Sequence, residues 1–292
     1  MQKVLVTGSS GFIGSKVVIR LRQKGYAVFT LDLLPGDENH FALDIASPEI
    51  ANVFSKLKPD CVIHLAAQID VTQSFLDPVN DLQINGFGTL NLLLNSLENS
   101  CDNFIYVHSG GAIYDSKNML PITENGIELP VSPYGLSKQI AEGYVRTLSK
   151  QYGLGWTSLA LSNCYGNLKE NRKGVIYEFA MKIINQEQAK INGADVTRDF
   201  IHVDDVVSAI VLAVSRPLNQ RINISSGTET SLIFLYQKIA SLLGSSIEPI
   251  IQPIRNGDVI HSSLANAKAR ELLKWSPAVD LDIGLASSIA NR

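Results

Sequence analysis

A glycine-rich turn lies between the first apolar run of the chain and a segment with helical spacing. The run is Lys3–Thr7, the turn is Gly8-Ser9-Ser10-Gly11-Phe12-Ile13-Gly14, and the helical pattern covers Phe12–Lys24. The first glycine permits a tight turn, the second lets backbone amides approach a pyrophosphate, and the third lets the helix pack closely on the strand. Since the helix N-terminus then faces the anion, this order predicts a dinucleotide-binding loop. We assign Gly8, Gly11, Phe12, Ile13 and Gly14 to it.

Short aliphatic runs alternate with helical patterns through the first half of the chain. Runs that are apolar without alternation suit strands buried on both faces of a parallel sheet. The repeated strand–helix order predicts an α/β fold with a doubly wound, Rossmann-type parallel sheet. The predicted strands are Lys3–Thr7, Ala27–Leu31, Cys61–Leu65, Phe104–His108 and Trp156–Leu161, and the predicted helices are Phe12–Lys24, Glu49–Leu57, Leu82–Leu97 and Ser137–Tyr152.

The pattern loosens after about residue 165 into a segment rich in Asn, Lys and Glu. A helix at Ile176–Asn185, a short strand near Ala189–Asn192 and the segment Arg198–Val203 then predict a smaller mixed α/β cap. Such a cap would close over the carboxyl edge of the sheet, where open α/β sheets hold ligands. Arg221–Ser225 is typical of one more core strand, so the two regions interleave. We expect residues 1–165 and 200–226 to form the dinucleotide-binding domain, and residues 166–199 and 227–292 to form the cap.

Composition excludes several classes of protein. The chain has 292 residues, of which 45% are hydrophobic and 18% charged, and this apolar content excludes a disordered chain. With a net charge of −3 and no basic cluster, we expect neither a nucleic acid nor a membrane surface as partner. Cys61, Cys101 and Cys164 are far apart and are predicted to be reduced thiols, with no metal site. The absence of a signal sequence or a long apolar run predicts a cytosolic protein.

Asp32 ends the predicted second strand, eighteen residues after Gly14. Its carboxylate can accept hydrogen bonds from both hydroxyls of an adenosine ribose, and it would repel a 2′-phosphate at close range. This position favours NAD over NADP as cofactor. The alternative is that Asp32 only caps a turn. Asp44 and Ile45 are predicted to flank the adenine.

Tyr134 and Lys138 lie four residues apart on one predicted helix that begins just after Ser132-Pro133. A phenol with an ordinary pKa of about 10 is a poor base at neutral pH, and lowering its pKa to about 7 needs roughly 4 kcal/mol of phenolate stabilisation. The Lys138 ammonium and the positive ring of an oxidised nicotinamide are charges that can supply it. The pair therefore predicts that Tyr134 exchanges a proton with a substrate hydroxyl while the nicotinamide exchanges a hydride.

A series of motifs in this sequence resembles the extended short-chain dehydrogenase/reductase family, in its NAD-dependent epimerase/dehydratase branch that contains UDP-glucose 4-epimerases. The resemblance covers nearly the whole chain. It implies tightly held NAD, a nucleotide diphosphate-sugar under the cap, and a homodimer formed through helices around Leu82–Leu97 and Tyr134–Tyr152. The motifs are Val6–Gly14, His64-Leu65-Ala66-Ala67, Asn85-Gly86-Phe87-Gly88-Thr89, Ser132-Pro133-Tyr134-Gly135 with Lys138, Arg198–Asp205 and Gly257-Asp258-Val259.

The resemblance also implies roles for single residues. By matching position, Leu65, Ala66 and Ala67 would line the cofactor site, and Asn85 would hold the active-site helix and a water network beside it. A guanidinium fork suits phosphate oxygens, which agrees with the arginines of this group; as an alternative, Arg198 forms an ion pair with its neighbour Asp199. The implied contacts of the substrate diphosphate and nucleoside are Asn163, Arg198, Arg255 and Asp258.

The active-site strand departs from the family pattern. The family places Ser or Thr where this chain has Gly110, and Ser109 stands one residue earlier. Adjacent side chains of a strand point to opposite faces, so either a glycine-rich turn lets Ser109 take that role or a water replaces it. Gly111 and Ala112 offer no carboxyl group, which disfavours the dehydratases and decarboxylases of the branch.

Three functions remain from this pattern. The expected one is a UDP-hexose 4-epimerase that abstracts a hydride, lets the 4-keto sugar turn and returns the hydride. The alternative is a 4-ketoreductase of a nucleotide 6-deoxy-4-keto sugar, which would use the same Tyr134, Lys138 and Ser109 for half of that cycle. A sensor of NAD or nucleotide sugar without catalysis is the third.

Overall fold

Seven parallel strands form the central sheet of the protein, in the order β11-β6-β5-β4-β1-β2-β3. The computed structural model describes residues 1–115, 117–170, 173–254 and 259–290. The other strands form three two-stranded pairs: β7 with β10, β8 with β13, and β9 with β12. The strands are β1 (Lys3–Thr7), β2 (Ala27–Asp32), β3 (His40–Ala42), β4 (Cys61–His64), β5 (Asn103–Ser109), β6 (Gly155–Leu161), β7 (Asn163–Tyr165), β8 (Lys190–Asn192), β9 (Thr197–Arg198), β10 (Phe200–His202), β11 (Gln220–Ile224), β12 (Thr230–Ser231) and β13 (Ile250–Gln252).

Helices cover both faces of the sheet, which confirms the predicted Rossmann-type fold. None of the helices within the described part of the chain is long and apolar enough to span a membrane. The helices are α1 (Phe12–Gln23), α2 (Ile50–Leu57), α3 (Val71–Leu76), α4 (Pro78–Leu82), α5 (Thr89–Glu98), α6 (Gly110–Ile113), α7 (Pro133–Tyr152), α8 (Val175–Ile184), α9 (Val203–Val214), α10 (Leu232–Leu242), α11 (Ala267–Leu272) and α12 (Leu281–Ala290), with a π-helix at Gln83–Gly88.

The central strands are buried on both faces because their runs are apolar without alternation. Val4, Leu5 and Val6 of β1 are fully buried, and Leu5 faces the opposite side from its two neighbours. One side packs against α1 and α9, and the other against α2, α5 and α7. The strand order changes direction between β1 and β4, so a ligand cleft opens at their carboxyl ends.

A separate apolar cluster holds the cap together. It joins α8, α10 and α12 to the ends of β7 and β10, where Tyr165 and Phe200 belong to it. Ala269, Leu273 and Trp275 belong instead to the cluster on the sheet, although they fall within the segment 227–292. That segment therefore packs against both parts of the molecule.

The outer edge of β11 is capped by side chains rather than by another strand. Glu124 accepts a hydrogen bond from the Asn223 amide at 2.8 Å, and Lys268 Nζ donates to the Arg221 carbonyl oxygen at 3.2 Å. Asn266 Nδ2 donates to the carbonyl oxygen of Ser225, just beyond the strand, at 3.0 Å. These contacts satisfy edge groups that would otherwise be open to pairing with another chain.

The predicted helix Leu82–Leu97 is interrupted. Pro78 starts α4, the π-helix Gln83–Gly88 follows, and α5 begins only at Thr89. A π turn leaves backbone carbonyls displaced, and the Thr89 hydroxyl donates to the Asn85 carbonyl oxygen at 2.6 Å. The wide turn places the Asn85 side chain in the interior beside α7.

Candidate active site

A cleft of about 580 Å³ lies at the carboxyl ends of β1, β2 and β4. It brings together most of the residues predicted from the sequence to hold the cofactor. Those that line it are Gly8, Gly11, Phe12, Ile13, Gly14, Asp32, Asp44, Ile45, Leu65, Ala66 and Ala67. Further lining residues, which the sequence analysis did not identify, are Ser10, Leu31, Leu33, Leu34, Leu43, Gln68, Ile69, Ile84 and Cys164.

The glycine loop is shaped so that side chains would not fit. Gly8 has φ +68°, and a Cβ there would lie 2.5 Å from the Ala66 amide nitrogen. A Cβ at Gly14 would lie 2.1 Å from the Gly8 carbonyl oxygen, so only glycine lets α1 pack this closely on β1. Gly11 is the N-cap of α1 and has no side chain to cap it, so within the described part of the chain the first amides of the helix remain available to an anion in the cleft. These features fit the pyrophosphate of a dinucleotide.

Asp32 lies at the end of β2 with its carboxylate in the cleft. Oδ2 accepts a hydrogen bond from the Ser10 amide at 2.9 Å, and Oδ1 accepts one from the Leu33 amide at 2.8 Å. Asp32 therefore caps the turn and also lines the cleft, and its contact with a ribose stays a prediction. Among the described residues that line the cleft there is no Lys or Arg to pair with a 2′-phosphate. The residues present fit NAD.

Tyr134 and Lys138 lie on the first two turns of α7, buried to 8% and 2% exposure. Ser132 caps this helix by accepting a hydrogen bond from the Gly135 amide at 3.1 Å. A Cβ at Gly135 would lie 2.2 Å from the Ala112 carbonyl oxygen. The glycine thus lets the start of α7 approach the α6 turn at the end of β5.

Burial governs the charge states of this pair. It raises the pKa of Tyr134 above its ordinary value, and the Asp81 carboxylate raises it further. Burial lowers the pKa of Lys138 to about 8, against an opposing effect of Asp81. The Lys138 ammonium lies 5.4 Å from the ring centre of Tyr106. In the protein alone the pKa of Tyr134 is therefore raised by desolvation of the phenolate and by Asp81, whereas the predicted lowering includes the charge of a bound oxidised nicotinamide.

Asp81 is the centre of a buried polar network that the sequence analysis did not identify. Its Oδ1 accepts hydrogen bonds from Gln68 Nε2 at 2.8 Å and Asn85 Nδ2 at 3.0 Å. Its Oδ2 accepts one from the Ser137 hydroxyl at 2.6 Å. Asn85 is also tied to α7, because its Nδ2 donates to the Ser137 hydroxyl at 3.2 Å. Its Oδ1 is buried and has no donor within the described part of the chain, which leaves it open to a water or ligand group.

His64 supports the loop that carries Leu65, Ala66 and Ala67. The Thr89 hydroxyl proton goes to the Asn85 carbonyl, so His64 Nε2 must donate to Thr89 Oγ1 at 2.9 Å and Nδ1 must accept from Thr7 Oγ1 at 2.8 Å. Thr7 Oγ1 also accepts from the Ala66 amide at 3.3 Å. Burial, with the charge of Lys138, lowers the pKa of His64, so the ring is neutral.

Ser109 ends β5 and is half-buried, and α6 starts at Gly110. A Cβ at Gly110 would lie 2.6 Å from Leu264 Cδ1 and 3.3 Å from Ala160 Cβ. Residue 110 therefore faces a packed part of the interior, and the glycine turn replaces the side chain that the family pattern has there.

A smaller cavity of about 230 Å³ lies in the cap and includes Arg198. Arg198 donates to the carbonyl oxygen of Thr197 at 2.7 Å, while Asp199 accepts from the amides of Ser226 and Gly227 at 3.0 and 3.1 Å. The two neighbours thus have different partners here. Asn163 is exposed on β7. Arg255 and Asp258 lie outside the described residues. The cavity is lined by Val175, Glu178, Phe179, Lys190, Ile191, Asn192, Val196, Arg198 and Leu232.

A sequence model described as the NAD dependent epimerase/dehydratase family matches residues 4–225. The chain belongs to this family. It is 36% identical over 293 residues to a putative UDP-glucose 4-epimerase of Methanocaldococcus jannaschii, covering 97% of this chain and 95% of that protein. It is 29% identical over 304 residues to the dTDP-4-dehydro-6-deoxyglucose reductase of Escherichia coli, covering 97% and 95%.

Solved structures of similar proteins agree with the family assignment. The UDP-glucose 4-epimerase of Thermotoga maritima with UDP-glucose has a TM-score of 0.94 and 36% identity, covering 99% of this chain and 98% of that chain. The Thermus thermophilus UDP-glucose 4-epimerase with NAD has a TM-score of 0.89 and 30% identity, covering 99% and 98%. The predicted epimerase/dehydratase resemblance is confirmed.

A further cavity of about 670 Å³ lies on another side of α7, and none of the predicted site residues that the structure describes lines it. Arg221 pairs there with Glu142 and Glu128. His108 Nε2 lies 3.7 Å from Glu142 Oε1. This cavity shares no lining residue with the cleft. The cleft is the candidate cofactor site because the glycine loop and Asp32 line it, and Asn85, Tyr134 and Lys138 are not among its lining residues.

Proposed function

We propose that this protein is an NAD-dependent UDP-hexose 4-epimerase. The observation that carries the proposal is the buried Tyr134–Lys138 pair on α7, packed against an active-site turn, Gly110–Ile113, that has no acidic residue. Elimination of water or abstraction of a carbon-bound proton would need a further acid or base at that turn. Inversion at C4 needs only one group that removes and returns a hydroxyl proton.

Tyr134 is the group that moves this proton. As phenolate it takes the proton of the C4 hydroxyl, and as phenol it returns the proton once the 4-keto sugar has presented its other face. The chemistry that NAD supplies when bound is removal and return of the C4 hydride, and its oxidised ring adds a positive charge that favours the phenolate. Lys138 contributes the second positive charge from within α7. The glycine loop, Asp32 and the Leu65–Ala67 loop would hold the cofactor.

The cap cavity supports a nucleotide diphosphate-sugar as substrate. Arg198 offers a guanidinium beside an apolar wall that includes Phe179 and Ile191. Such a combination suits a diphosphate joined to a base. By the family resemblance we propose Asn163, Arg198, Arg255 and Asp258 as contacts of this substrate, and uridine as its base by similarity to the epimerases above; of the four, only Arg198 lines the cap cavity among the described residues.

A 4-ketoreductase is the second candidate, because the Escherichia coli reductase is a relative and the same Tyr134 and Lys138 would serve it.

The experiment follows UDP-galactose and UDP-glucose by chromatography with purified protein and no added cofactor. Interconversion with bound NAD and no net NADH consumption supports the epimerase. Stoichiometric oxidation of NADH or NADPH by a nucleotide 4-keto-6-deoxy sugar would move the assignment to a reductase, and NAD binding without turnover to a sensor.

We also infer that the protein is a cytosolic homodimer. Leu136, Ile140 and Tyr144 form an exposed stripe along α7, and Phe87 and Leu94 are exposed on the neighbouring π-helix and α5. Contiguous exposed apolar surface of this kind marks an interface. Light scattering coupled to gel filtration tests the dimer: Ile140→Glu should yield monomers, whereas Leu212→Glu, on exposed α9 surface, should not.

A further inference from the structure

Asp81 is a buried carboxylate without a contacting cation. It is 1% exposed, on α4, and the described residues place no Lys or Arg in an ion pair with it. Its hydrogen bonds come from the neutral groups of Gln68, Asn85 and Ser137. Burial of a charge is costly unless an opposite charge compensates it.

Lys138 is the buried cation whose positive charge could compensate the negative charge of Asp81. It is 2% exposed and adjacent in sequence to Ser137, whose hydroxyl donates to Asp81. It forms no ion pair with any residue that the structure describes. Because the Ser137 hydroxyl donates to Asp81 Oδ2 at 2.6 Å, the carboxylate lies against α7 one residue away from Lys138 along the helix.

The other titratable groups around Lys138 do not supply a negative charge. From the sheet, Tyr106 and His108 of β5 and His64 of β4 face it, and burial keeps the pKa values of both histidines low, so they are neutral. On α7 itself, Tyr134 is a buried phenol, and Glu142 is paired with Arg221. Asp81 is thus the one unpaired anion beside this site among the described residues.

We propose that Asp81 is a positioning residue of the active site, which fixes Ser137 and Asn85 by hydrogen bonds and keeps the neighbouring Lys138 in its ammonium form. The inference rests on the proposed function only for its effect on turnover. The ammonium is the form that stabilises the Tyr134 phenolate, so loss of Asp81 would remove that support above the lowered pKa of Lys138. The same loss would also remove the direct repulsion between the Asp81 carboxylate and the phenolate, which raises the pKa of Tyr134 in the unmodified protein.

The direct test is the titration of Lys138 in full-length protein labelled with ¹³C at lysine Cε. Lys138→Met identifies the resonance by its disappearance. With a pKa of about 8 in the unmodified protein, Lys138 should titrate about one pH unit lower in Asp81→Asn, since a unit charge several ångströms away acts on this scale in a protein interior. Titration at the same pH in both proteins would overturn the proposal, whether or not the protein is an epimerase.

Turnover supplies a second readout. The alkaline limb of the kcat–pH profile should move to lower pH by a similar amount in Asp81→Asn. Ser137→Ala is the matched control, because it removes the hydrogen bond to Asp81 but leaves the carboxylate, and it should lower kcat without moving the limb. A uniform fall in kcat at every pH in Asp81→Asn, with the limb in place, would show a purely structural role and contradict the proposal.

Discussion

Gly110 faces Leu264, so closely that a Cβ on the glycine would lie 2.6 Å from Leu264 Cδ1. Leu264 is fully buried and belongs to a small cluster with Ile113 and Tyr114. The space that a serine side chain would fill at residue 110 is therefore occupied by the core. Ser109, at the end of β5, is the hydroxyl that this strand end can offer to a substrate.

We expect Gly110→Ser to destabilise the protein by about 1–3 kcal/mol, because overpacking a buried site forces neighbours to shift. It should not raise kcat. Gly111→Ser is the control, since a Cβ there would lie at an ordinary contact distance of 3.5 Å from Ser262 Oγ. Urea unfolding measures the free energy of unfolding of both variants. Equal stability of the two variants would contradict the packing argument.

Ser109→Ala should lower kcat about 10- to 100-fold if the hydroxyl contacts the reacting oxygen, since a charge-assisted hydrogen bond contributes roughly 1.5–3 kcal/mol. The measurement is kcat with UDP-galactose at saturation, together with the content of bound NAD as a check on folding. An unchanged kcat would indicate that a water, and not the Ser109 hydroxyl, contacts the reacting oxygen.

Tyr134→Phe should reduce kcat by at least about 10²- to 10⁴-fold, because it removes the proton-transfer group and leaves the ring. NAD should remain bound, since the glycine loop and Asp32 are untouched. Tyr144→Phe, on the exposed side of the same helix, should keep normal turnover. Near-normal turnover in Tyr134→Phe would exclude the proposed proton transfer.

Asp32→Asn should weaken NAD binding about 10- to 100-fold and narrow the preference for NAD over NADP. The charged acceptor for the ribose hydroxyls is lost, and so is its repulsion of a 2′-phosphate. Asp37→Asn is the control, because Asp37 pairs with Arg22 outside the cleft. Calorimetric titration of NAD and of NADP into protein stripped of nucleotide gives the ratio of the two affinities. An unchanged ratio in Asp32→Asn would leave Asp32 only its capping role.

The protein should lose stability as the pH falls from 6.5 to 4.5. Burial, together with the charges of Arg221 and Lys138, lowers the pKa of His108 to about 4, although Glu142 opposes this shift. Over this range the unfolded chain binds a proton at His108 that the folded protein does not, so the free energy of unfolding decreases as the pH is lowered. The contribution of His108 is about 2–3 kcal/mol. Chemical unfolding across this pH range should show a smaller loss of stability in His108→Gln than in the unmodified protein. The loss should be unchanged in His261→Gln, whose side chain is exposed.

The glycine loop, the five predicted core strands and the flanking helices were predictable because their signals are local. Apolar runs and glycine order determine strand, turn and helix within one short segment, and the observed bounds of Lys3–Thr7 match the prediction. The cofactor residues follow from this local pattern, since they lie at strand ends that meet at one edge of the sheet. The Tyr134–Lys138 pair was predictable in the same way from helical spacing.

The remaining features depend on packing between distant segments. Asp81 looks like a surface residue in the sequence, and only the approach of α7 buries it. The upward pKa shift of Tyr134 in the protein alone could not be foreseen, because charges can be counted from a sequence but the desolvation of a phenol cannot; the lowering by Lys138 and a bound nicotinamide stays a prediction. The break in Leu82–Leu97 was missed because its apolar spacing continues through the π-helix.

The position of β11 beside β6 has a consequence for how the molecule is made. Residues 220–224 of β11 emerge from the ribosome after those of β7–β10, yet they complete the sheet that starts at residue 3. A shortened product that stopped at residue 165 would lack β11, so the edge of β6 with Leu159 and Leu161 would be unpaired and prone to aggregation. The seven-stranded sheet therefore cannot be excised as one continuous short fragment, and a shorter version that keeps it would need two separate pieces of the chain.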